Sequence, residues 1–476
     1  MKFTRAFTLM ALAGLAGGVQ ATDGYFSHGY GMKAKGMGGA ATATASDAMG
    51  GANNPASMAF VGDRLDLGVD LFSPRRESSR SGSTGGGLPV NVNGGGFAPG
   101  PFPPVNNTTD FLFPIPALDG SSKSDSNIFA IPEFGYNKMI NSNLALGVSV
   151  YGNGGMNSNY KPLPNTGLIG SACNQDGVTN VNLLCGPGRL GVDLMQLVVA
   201  PTVAYKINPN HSIGISPLIG YERFKAEGLQ AFGLISQDFG TGQNNVSNRG
   251  YDDAFGFGVR VGYYGRLSPT FSIGAAYASK MNFDEYSKYK GLFAEKGDFD
   301  IPENYNLGLA WQATPQILVA LDYQRINYGG VNSINNPSTN FFNCVGLTGV
   351  DPSVNPTNPF CMGGNSGPGF GWRDIDIWKL GAEYKYNQQL TLRAGYNHTD
   401  QPIPSRDVEF NIIAPGVIQD HVTLGLTYTL ASGDELTVAY MHGFENSVTG
   451  PSFFFGGTDT IKMYQNSLGV TYSWKM

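Results

Sequence analysis

Beyond about Asp63 the chain alternates apolar and polar residues with a period of two, over and over. The stretch "SLGVTYSW" puts Leu468, Val470, Tyr472 and Trp474 on one face and Ser467, Gly469, Thr471 and Ser473 on the other. "TFSIGAAYASKM" sets Phe271, Ile273, Ala275, Tyr277 and Met281 opposite Ser272, Gly274, Ala276 and Lys280, and "NLGLAWQ" repeats the arrangement with Leu307, Leu309 and Trp311. Such strands suit either a soluble sandwich or a membrane barrel with a lipid-facing and a lumen-facing side. Connection lengths separate the two. The pattern predicts strands over 63–74, 127–138, 143–152, 189–207, 212–226, 251–267, 270–282, 298–313, 316–328, 373–386, 389–399, 418–431, 434–445 and 463–474. Short turns such as "NPNH", "SPT" and "SGD" alternate between them with long polar connections. Short turns at one end and long loops at the other predict an all-β transmembrane antiparallel barrel of about 14 strands. The even count places both ends of the barrel in the periplasm.

Composition strengthens that reading. Charged residues are 14% of the chain, against roughly 25% in ordinary globular domains. Glycine occurs 67 times in 476 residues and aromatics make up 12%. A net charge of -6 disfavours nucleic acid as a partner. No run past Ala21 approaches the ~18 to 20 apolar residues of a membrane-crossing helix. Before it, Lys2 and Arg5 lead into the small and apolar run Ala6 to Gly18, and Val19-Gln20-Ala21 forms an acceptable cleavage site. Residues 1–21 are therefore expected to be a signal peptide. Tyrosines and tryptophans near strand ends (Tyr205, Tyr263, Tyr264, Trp311, Tyr384, Tyr386, Tyr428, Trp474) suit the interfacial girdles of a barrel.

The four cysteines form two local pairs, and an oxidising compartment favours disulfides Cys173–Cys185 and Cys344–Cys361. A zinc site would need tighter spacing and clustered histidines; no metal and no cofactor is expected. Within "HGYGMKAKGMGGA", Gly29 to Ala34 fits the G-x-G-x-x-A dinucleotide pattern. That fingerprint requires a preceding hydrophobic strand and a following helix, and neither is predicted here. Residues 22–62 instead consist largely of small side chains, which let backbone approach a barrel wall closely. They are expected to form an N-terminal plug, with 63–476 as the barrel.

"GYGMKAKGMGGAATATASDAMGGANNPASMAF" ahead of such a barrel resembles the FadL family of outer-membrane transporters for long-chain fatty acids and other hydrophobic compounds. The sharpest match is Asn54-Pro55-Ala56, corresponding to the family's Asn-Pro-Ala motif. The resemblance implies a hatch in the lumen, a kink in the third strand that opens the wall sideways, and a landing groove between the third and fourth long loops. The residues supply a kink candidate of their own. In "NLALGVSVYGNGGMNSNY" the alternation stops at Gly152, Asn153, Gly154 and Gly155, where a bulge would be easy; the same residues could simply begin the next loop. The loops the resemblance points to are 227–250, with Phe232, Leu234 and Phe239, and 283–297, with Tyr286, Leu292 and Phe293. Apolar residues at that density in loops call for a groove or for packing of one loop on another.

A fatty-acid carboxylate would need a cation inside. By alternation Arg260, Lys280, Lys379 and Arg393 face the lumen, where each could meet a head group or pair with an acid such as Glu222, Asp322 or Glu383. The expected partners are a hydrophobic small molecule together with outer-membrane lipid and lipopolysaccharide, and a monomer is expected. Two rival functions share the barrel. A general diffusion porin would have an open aqueous lumen. A lipolytic enzyme would need a Ser–His pair, and none of His28, His211, His398, His421 and His442 has an evident serine partner. No catalytic residue is therefore assigned.

Overall fold

The computed structural model describes residues 22–89, 111–115, 117–163, 180–239, 241–344 and 357–476; the expected signal peptide lies outside them. Fourteen wall strands follow one another in sequence order: β1 Arg64–Ser81, β2 Phe129–Met139, β3 Leu144–Asn157, β4 Gly191–Asn208, β5 His211–Glu227, β6 Asp252–Arg266 and β7 Phe271–Ala278. They continue with β8 Asn304–Gln312, β9 Ile317–Ile326, β10 Ile375–Lys385, β11 Leu390–Thr399, β12 Asp420–Thr429, β13 Glu435–Pro451 and β14 Thr458–Lys475. Each pairs antiparallel with the next, and β14 returns to β1 in one unbroken register from Arg64↔Lys475 to Ser81↔Thr458. Closure leaves the wall with no terminal edge strand.

The expected faces are the observed ones except at Met281, expected outward with Tyr277 but 2% exposed, because β7 ends at Ala278 and its alternation is not carried past that residue. Leu468, Trp311, Leu307, Trp378 and Phe257 are exposed on the outside, while Ser467, Thr471 and Ser473 are buried inside. Of the aromatics expected at the interface, Tyr205, Trp311, Tyr384, Tyr386, Tyr428 and Trp474 point outward. Tyr264 does not. Successive strand residues take opposite faces, so it points inward, 4% exposed, with its ring 5.1 Å from that of Phe60.

Strand ends differ where the ladder rises beyond the apolar band. β1 continues through "RRESSRS" to Ser81, although alternation of hydrophobicity ends near Pro74. β13 and β14 extend with it, to Pro451 and from Thr458. Above the lipid the outward residues are polar, so the backbone still alternates while hydropathy does not.

Residues 22–62 lie inside the barrel and are almost wholly buried. They contain one helical turn, Met32–Lys35, and a 3-10 helix, Pro55–Phe60. Wall glycines stand where this segment touches the wall. A Cβ on Gly395 would meet the backbone of Met37 and Gly38, and one on Gly274 would meet the carbonyl of Thr42. Part of the chain's high glycine content thus comes from fitting backbone against backbone. Above the plug, loop and wall side chains merge into one apolar cluster reaching from Tyr25 to Met463.

Candidate functional site

The wall has a break in its hydrogen-bonded ladder. β2 pairs with β3 only from Met139↔Ala145 to Phe134↔Val150, while on its other flank β2 stays paired to β1 as far as Phe129. Among the described residues, Tyr151 to Asn157 of β3 and Phe129 to Glu133 of β2 therefore share no ladder pairs. On the far side of β3 the register shifts between Gly152 and Gly154, bulging Asn153 out of the β4 ladder. Strand alternation is lost here, and Asn153 through Asn157 are all buried. So residues 152–155 do not begin a loop; the strand bends and runs on to Asn157.

The plug takes up the backbone groups this bend frees. Ser27 N donates to Asn153 O at 3.1 Å and Gly155 N to Tyr25 O at 3.0 Å. Phe26 bridges Gly154 as an isolated β pair. A Cβ on Gly154 would run into the Tyr25 carbonyl. The Tyr30 hydroxyl donates to Asn153 as well, at 3.1 Å.

Elsewhere the plug is fixed by charge. Lys33 meets Glu435 at 2.6 Å, and Lys35 meets Asp70 at 2.7 Å and Glu133 at 2.8 Å, all five residues being buried or nearly so. Burial opposes the Lys35 charge, but Asp70 and Glu133 hold its pKa above the usual lysine value. Asp322 accepts from the amides of Ala41 and Thr42, both at 2.8 Å. Asn54 ties the family-like motif to the wall. Its side chain accepts from Ala56 N at 3.1 Å and donates to Thr42 O and Tyr263 O, both at 2.8 Å.

The four cations expected to face the lumen all have protein partners, but only Arg260, Lys379 and Arg393 are buried there; Lys280 lies past the end of β7 with its side chain 40% exposed. Arg260 donates to the plug carbonyls of Ala52 and Asn53. Lys379 donates to His28 O at 2.9 Å and lies 3.6 Å from Asp23. Burial pushes the Asp23 carboxyl up to about 6, against the opposing pull of Lys379 and Asn397. Arg393 pairs with Glu383 at 2.7 Å and Lys280 with Asp300 at 2.6 Å. Asp322 binds the plug rather than a cation, and Glu222 accepts from Gln196 at 2.6 Å and Tyr286 at 2.7 Å.

Above the plug is an apolar pocket. The long loops contribute Phe232, Leu292, Phe293 and Phe299, and the wall contributes Met156, Val192, Leu194 and Phe224. Met362, Pro368 and Phe370 close one side; Phe410 and Ile413 cap it. Its free volume is about 30 Å³, room for a water or two, so the rings nearly fill it. Phe224 and Phe293 touch at 4.8 Å between centroids, and Phe232 and Phe410 stack at 4.9 Å. Of the six groove candidates, Phe232, Leu292 and Phe293 line this pocket. Tyr286 is fully buried behind it, and Leu234 and Phe239 are half-buried. The loops therefore pack on one another and enclose the pocket at once.

Sequence reasoning missed the wall and cap contributions. Met156, Leu194 and Phe224 are apolar side chains at inward positions, where lumen-facing alternation calls for polar ones, and that mismatch was their signal. Phe410 and Ile413 lie in the apolar run "FNIIAPGVI" of an otherwise polar loop. Cys344 and Cys361 form the expected disulfide, next to Met362, whose amide donates to Ile235 O at 2.9 Å. Cys173 lies outside the described residues, so its expected bond to Cys185 does too.

The comparisons with known proteins agree with this architecture. The family model described as outer membrane protein transport protein (OMPP1/FadL/TodX) matches residues 7–453. No curated protein sequence matches the chain. Among solved structures, the Pseudomonas putida toluene transporter TodX is similar over 94% of this chain and 99% of its own, with a TM-score of 0.61 at 18% identity. A Pseudomonas aeruginosa FadL homologue is similar over 95% and 99%, with a TM-score of 0.63 at 16% identity. The Ralstonia pickettii toluene transporter TbuX is similar over 94% and 99%, with a TM-score of 0.54 at 17% identity. At these identities the structural likeness speaks for the fold.

Proposed function

The chain belongs to the outer membrane protein transport family that includes FadL and TodX, a hydrophobic-compound transporter family of the bacterial outer membrane, and from that premise we propose a three-step uptake route. An apolar solute enters between the long loops, occupies the pocket under Phe232, Phe293 and Phe410, and leaves sideways through the break between β2 and β3. The unpaired stretch of β3 with plug residues 25–27 docked on it carries this reading. Residues 22–62 act as the plug and 63–476 as the barrel.

The physical logic is the energy of transfer. Each methylene moved from water into an apolar site gains about 0.8 kcal/mol, whereas a water-filled pore offers such a solute nothing over bulk water. Lateral release keeps the solute out of water on the exit side as well. The nearly filled pocket requires its rings to change rotamer when a ligand enters. That is a small motion compared with removing the plug, whose ion pairs are buried. Relatives described as toluene transporters and as a monoaromatic hydrocarbon channel favour small apolar cargo, and fatty acids are the other class the family's name suggests. A diffusion porin is disfavoured by the plug that occupies the lumen.

The test fills the break. Gly154→Val puts a side chain where the Tyr25 backbone sits, and Gly155→Val adds a second beside it. Uptake of a radiolabelled apolar solute should fall at least about tenfold, while the protein keeps the heat-modifiable gel mobility of a folded barrel. Undiminished uptake by the folded double variant would rule out the lateral exit.

A further inference from the structure

The break between β2 and β3 is closed above. Ser124 bridges Tyr160 and Tyr160 bridges Leu190, each as an isolated antiparallel pair. Ser124 N also donates to Arg76 O of β1 at 3.0 Å. The break is therefore a window, and its lintel is made of the segments that lead into β2 and out of β3. Ser124, Tyr160 and Leu190 are buried. Successive residues of an extended chain take opposite faces, so Lys123, Lys161 and Arg189 beside them point out of the barrel, where all three are exposed. Glu77 of β1 stands opposite Lys123 on one side and Lys462 of β14 on the other, which puts those lysines on one outer face together with Arg75.

These charges are held loosely. Lys123 and Lys462 share Glu77 at 3.6 and 3.8 Å, and Lys462 also faces Glu445 at 3.6 Å. Lys161 and Arg189 share Asp125 at 3.4 and 2.8 Å. Arg75 forms no ion pair among the described residues and reaches the Asn127 side chain at 2.8 Å. Five cations thus meet three carboxylates here, and solvent-exposed pairs of this kind are weak. Directly below, the outer surface is apolar: Leu71 and Leu468 are exposed and Ile128 is 70% exposed. The upper ends of β7 to β12 carry the other sign. Tyr277 donates to Glu303 and Tyr323 to Asp376, both at 2.8 Å. Asp420 meets His398 at 2.7 Å, and Arg325 is committed to Asp374 and Asp376.

We propose that the lintel, with Arg75, Lys123, Lys161, Arg189 and Lys462, binds the phosphorylated headgroup of an outer-leaflet lipid, whose acyl chains lie on Leu71, Leu468 and Ile128. The proposal rests on the barrel's place in the outer membrane and not on the uptake route. Phosphate oxygens accept strong charge-assisted bonds from guanidinium and ammonium groups. Basic clusters that border an apolar membrane surface are sites for anionic lipid. The apolar face continuing beneath the cations favours a lipid over free phosphate, and the acidic upper ends of β7 to β12 offer no such place. A lipid seated here presents acyl chains rather than water to the window.

The experiment titrates the delipidated full-length protein in detergent with lipid A carrying two phosphates and counts bound lipid by native mass spectrometry. The unaltered protein should bind it, and millimolar inorganic phosphate should not displace it. The combined variant Arg75→Gln, Lys123→Gln and Lys161→Gln should bind roughly a hundredfold more weakly, since each basic side chain beside an anionic lipid surface contributes a factor of about five. Arg325→Gln, among the carboxylates of the opposite arc, should bind like the parent. All of these side chains are on the outer surface, so each variant should keep the heat-modifiable gel mobility of a folded barrel. A triple variant that binds as tightly as the parent would overturn the proposal, and so would an equal loss in Arg325→Gln. Equal binding of lipid A stripped of its phosphates would reduce the site to an apolar contact. Displacement by inorganic phosphate would make it a site for the free anion, and either result would overturn the lipid-headgroup assignment.

Discussion

The two halves of the lumen are built on opposite principles. The lower half is filled by residues 22–62, whose small side chains bury little apolar area each. Position there is set by buried ion pairs and hydrogen bonds: Lys33 with Glu435, Lys35 with Asp70 and Glu133, Asp322 with two plug amides. The upper half is filled by aromatic and aliphatic side chains from loops far apart in sequence, and few of the contacts around the pocket are directional. Ion pairs in a low dielectric tolerate little displacement, because separating them exposes uncompensated charge. Stacked rings can slide or change rotamer at smaller cost. The lower half is therefore suited to stay put and the upper half to admit a guest. The division also bears on chemistry. The buried cations described in the lumen pair with the plug, the wall or the cap loop, and none of them lines the pocket.

The largest effect expected follows from breaking the lower half at its most connected cation. Lys35→Met leaves Asp70 and Glu133 buried beside each other without the ammonium between them, a loss of roughly 3–5 kcal/mol for a buried pair deprived of one partner. Reconstituted in planar bilayers, the variant should show frequent large conductance steps where the unaltered protein is nearly silent. A variant as silent as the parent would mean that the plug is held by its backbone contacts alone, and the contrast between the halves would lose its lower term.

The sequence reveals these two halves unequally. Strand positions follow from hydropathy because lipid imposes a period of two on every membrane-crossing segment, so the ends of β4, β5, β6 and β11 fall within two residues of expectation. The ladder above the lipid was not readable in "RRESSRS", where no apolar environment marks the outward face. The bulge at Asn153 was legible as a glycine cluster, and the Cys344–Cys361 bond as proximity. Lys35 with Asp70 and Glu133 was not legible at all. Partners 35 and 98 positions away leave no local pattern, and the buried lysines of "GMKAKG" look like solvated ones. The pocket shows a third case. Phe232 and Phe293 were visible as apolar residues in loops, but whether they face outward or inward depends on the cap formed by Phe410 and Ile413.

A smaller effect sharpens the upper half. The cap loop is clamped by Glu409, which meets Arg80 at 3.4 Å and accepts from Ser452 Oγ at 2.9 Å and Phe453 N at 2.7 Å. Burial and the neighbouring Asp459 push its carboxyl up to about 7, with Arg80 pulling the other way. A folded-state pKa above the unfolded value means that the folded form binds the proton more tightly. The stabilisation is then full below about 4.5 and is lost as pH rises through about 7. The difference between pH 5 and pH 8 amounts to roughly 2 kcal/mol. Protease cleavage within residues 400–417 should accordingly be slower at pH 5 than at pH 8 with an enzyme active at both, and Glu409→Gln should flatten that dependence. Faster cleavage at pH 5 would show that the Arg80 pair, rather than the proton, holds the cap.

The smallest effect tests whether it is burial, and not charge pairing as such, that gives the lower half its rigidity. Lys138 and Asp63 form an ion pair at the short-turn end of the barrel, where the lysine is half exposed, and Asp63 also accepts from Met139 N at 2.7 Å. Water screens that pair and keeps each charge solvated when the other is removed. Lys138→Ala should leave bilayer conductance and the denaturation midpoint unchanged within error, although the pair it deletes resembles Lys35–Asp70 in its chemical groups. The contrast with Lys35→Met separates location from chemistry. If Lys138→Ala opened the channel as readily, the plug would be held by the charge balance of the barrel's end rather than by the desolvated pairs inside it.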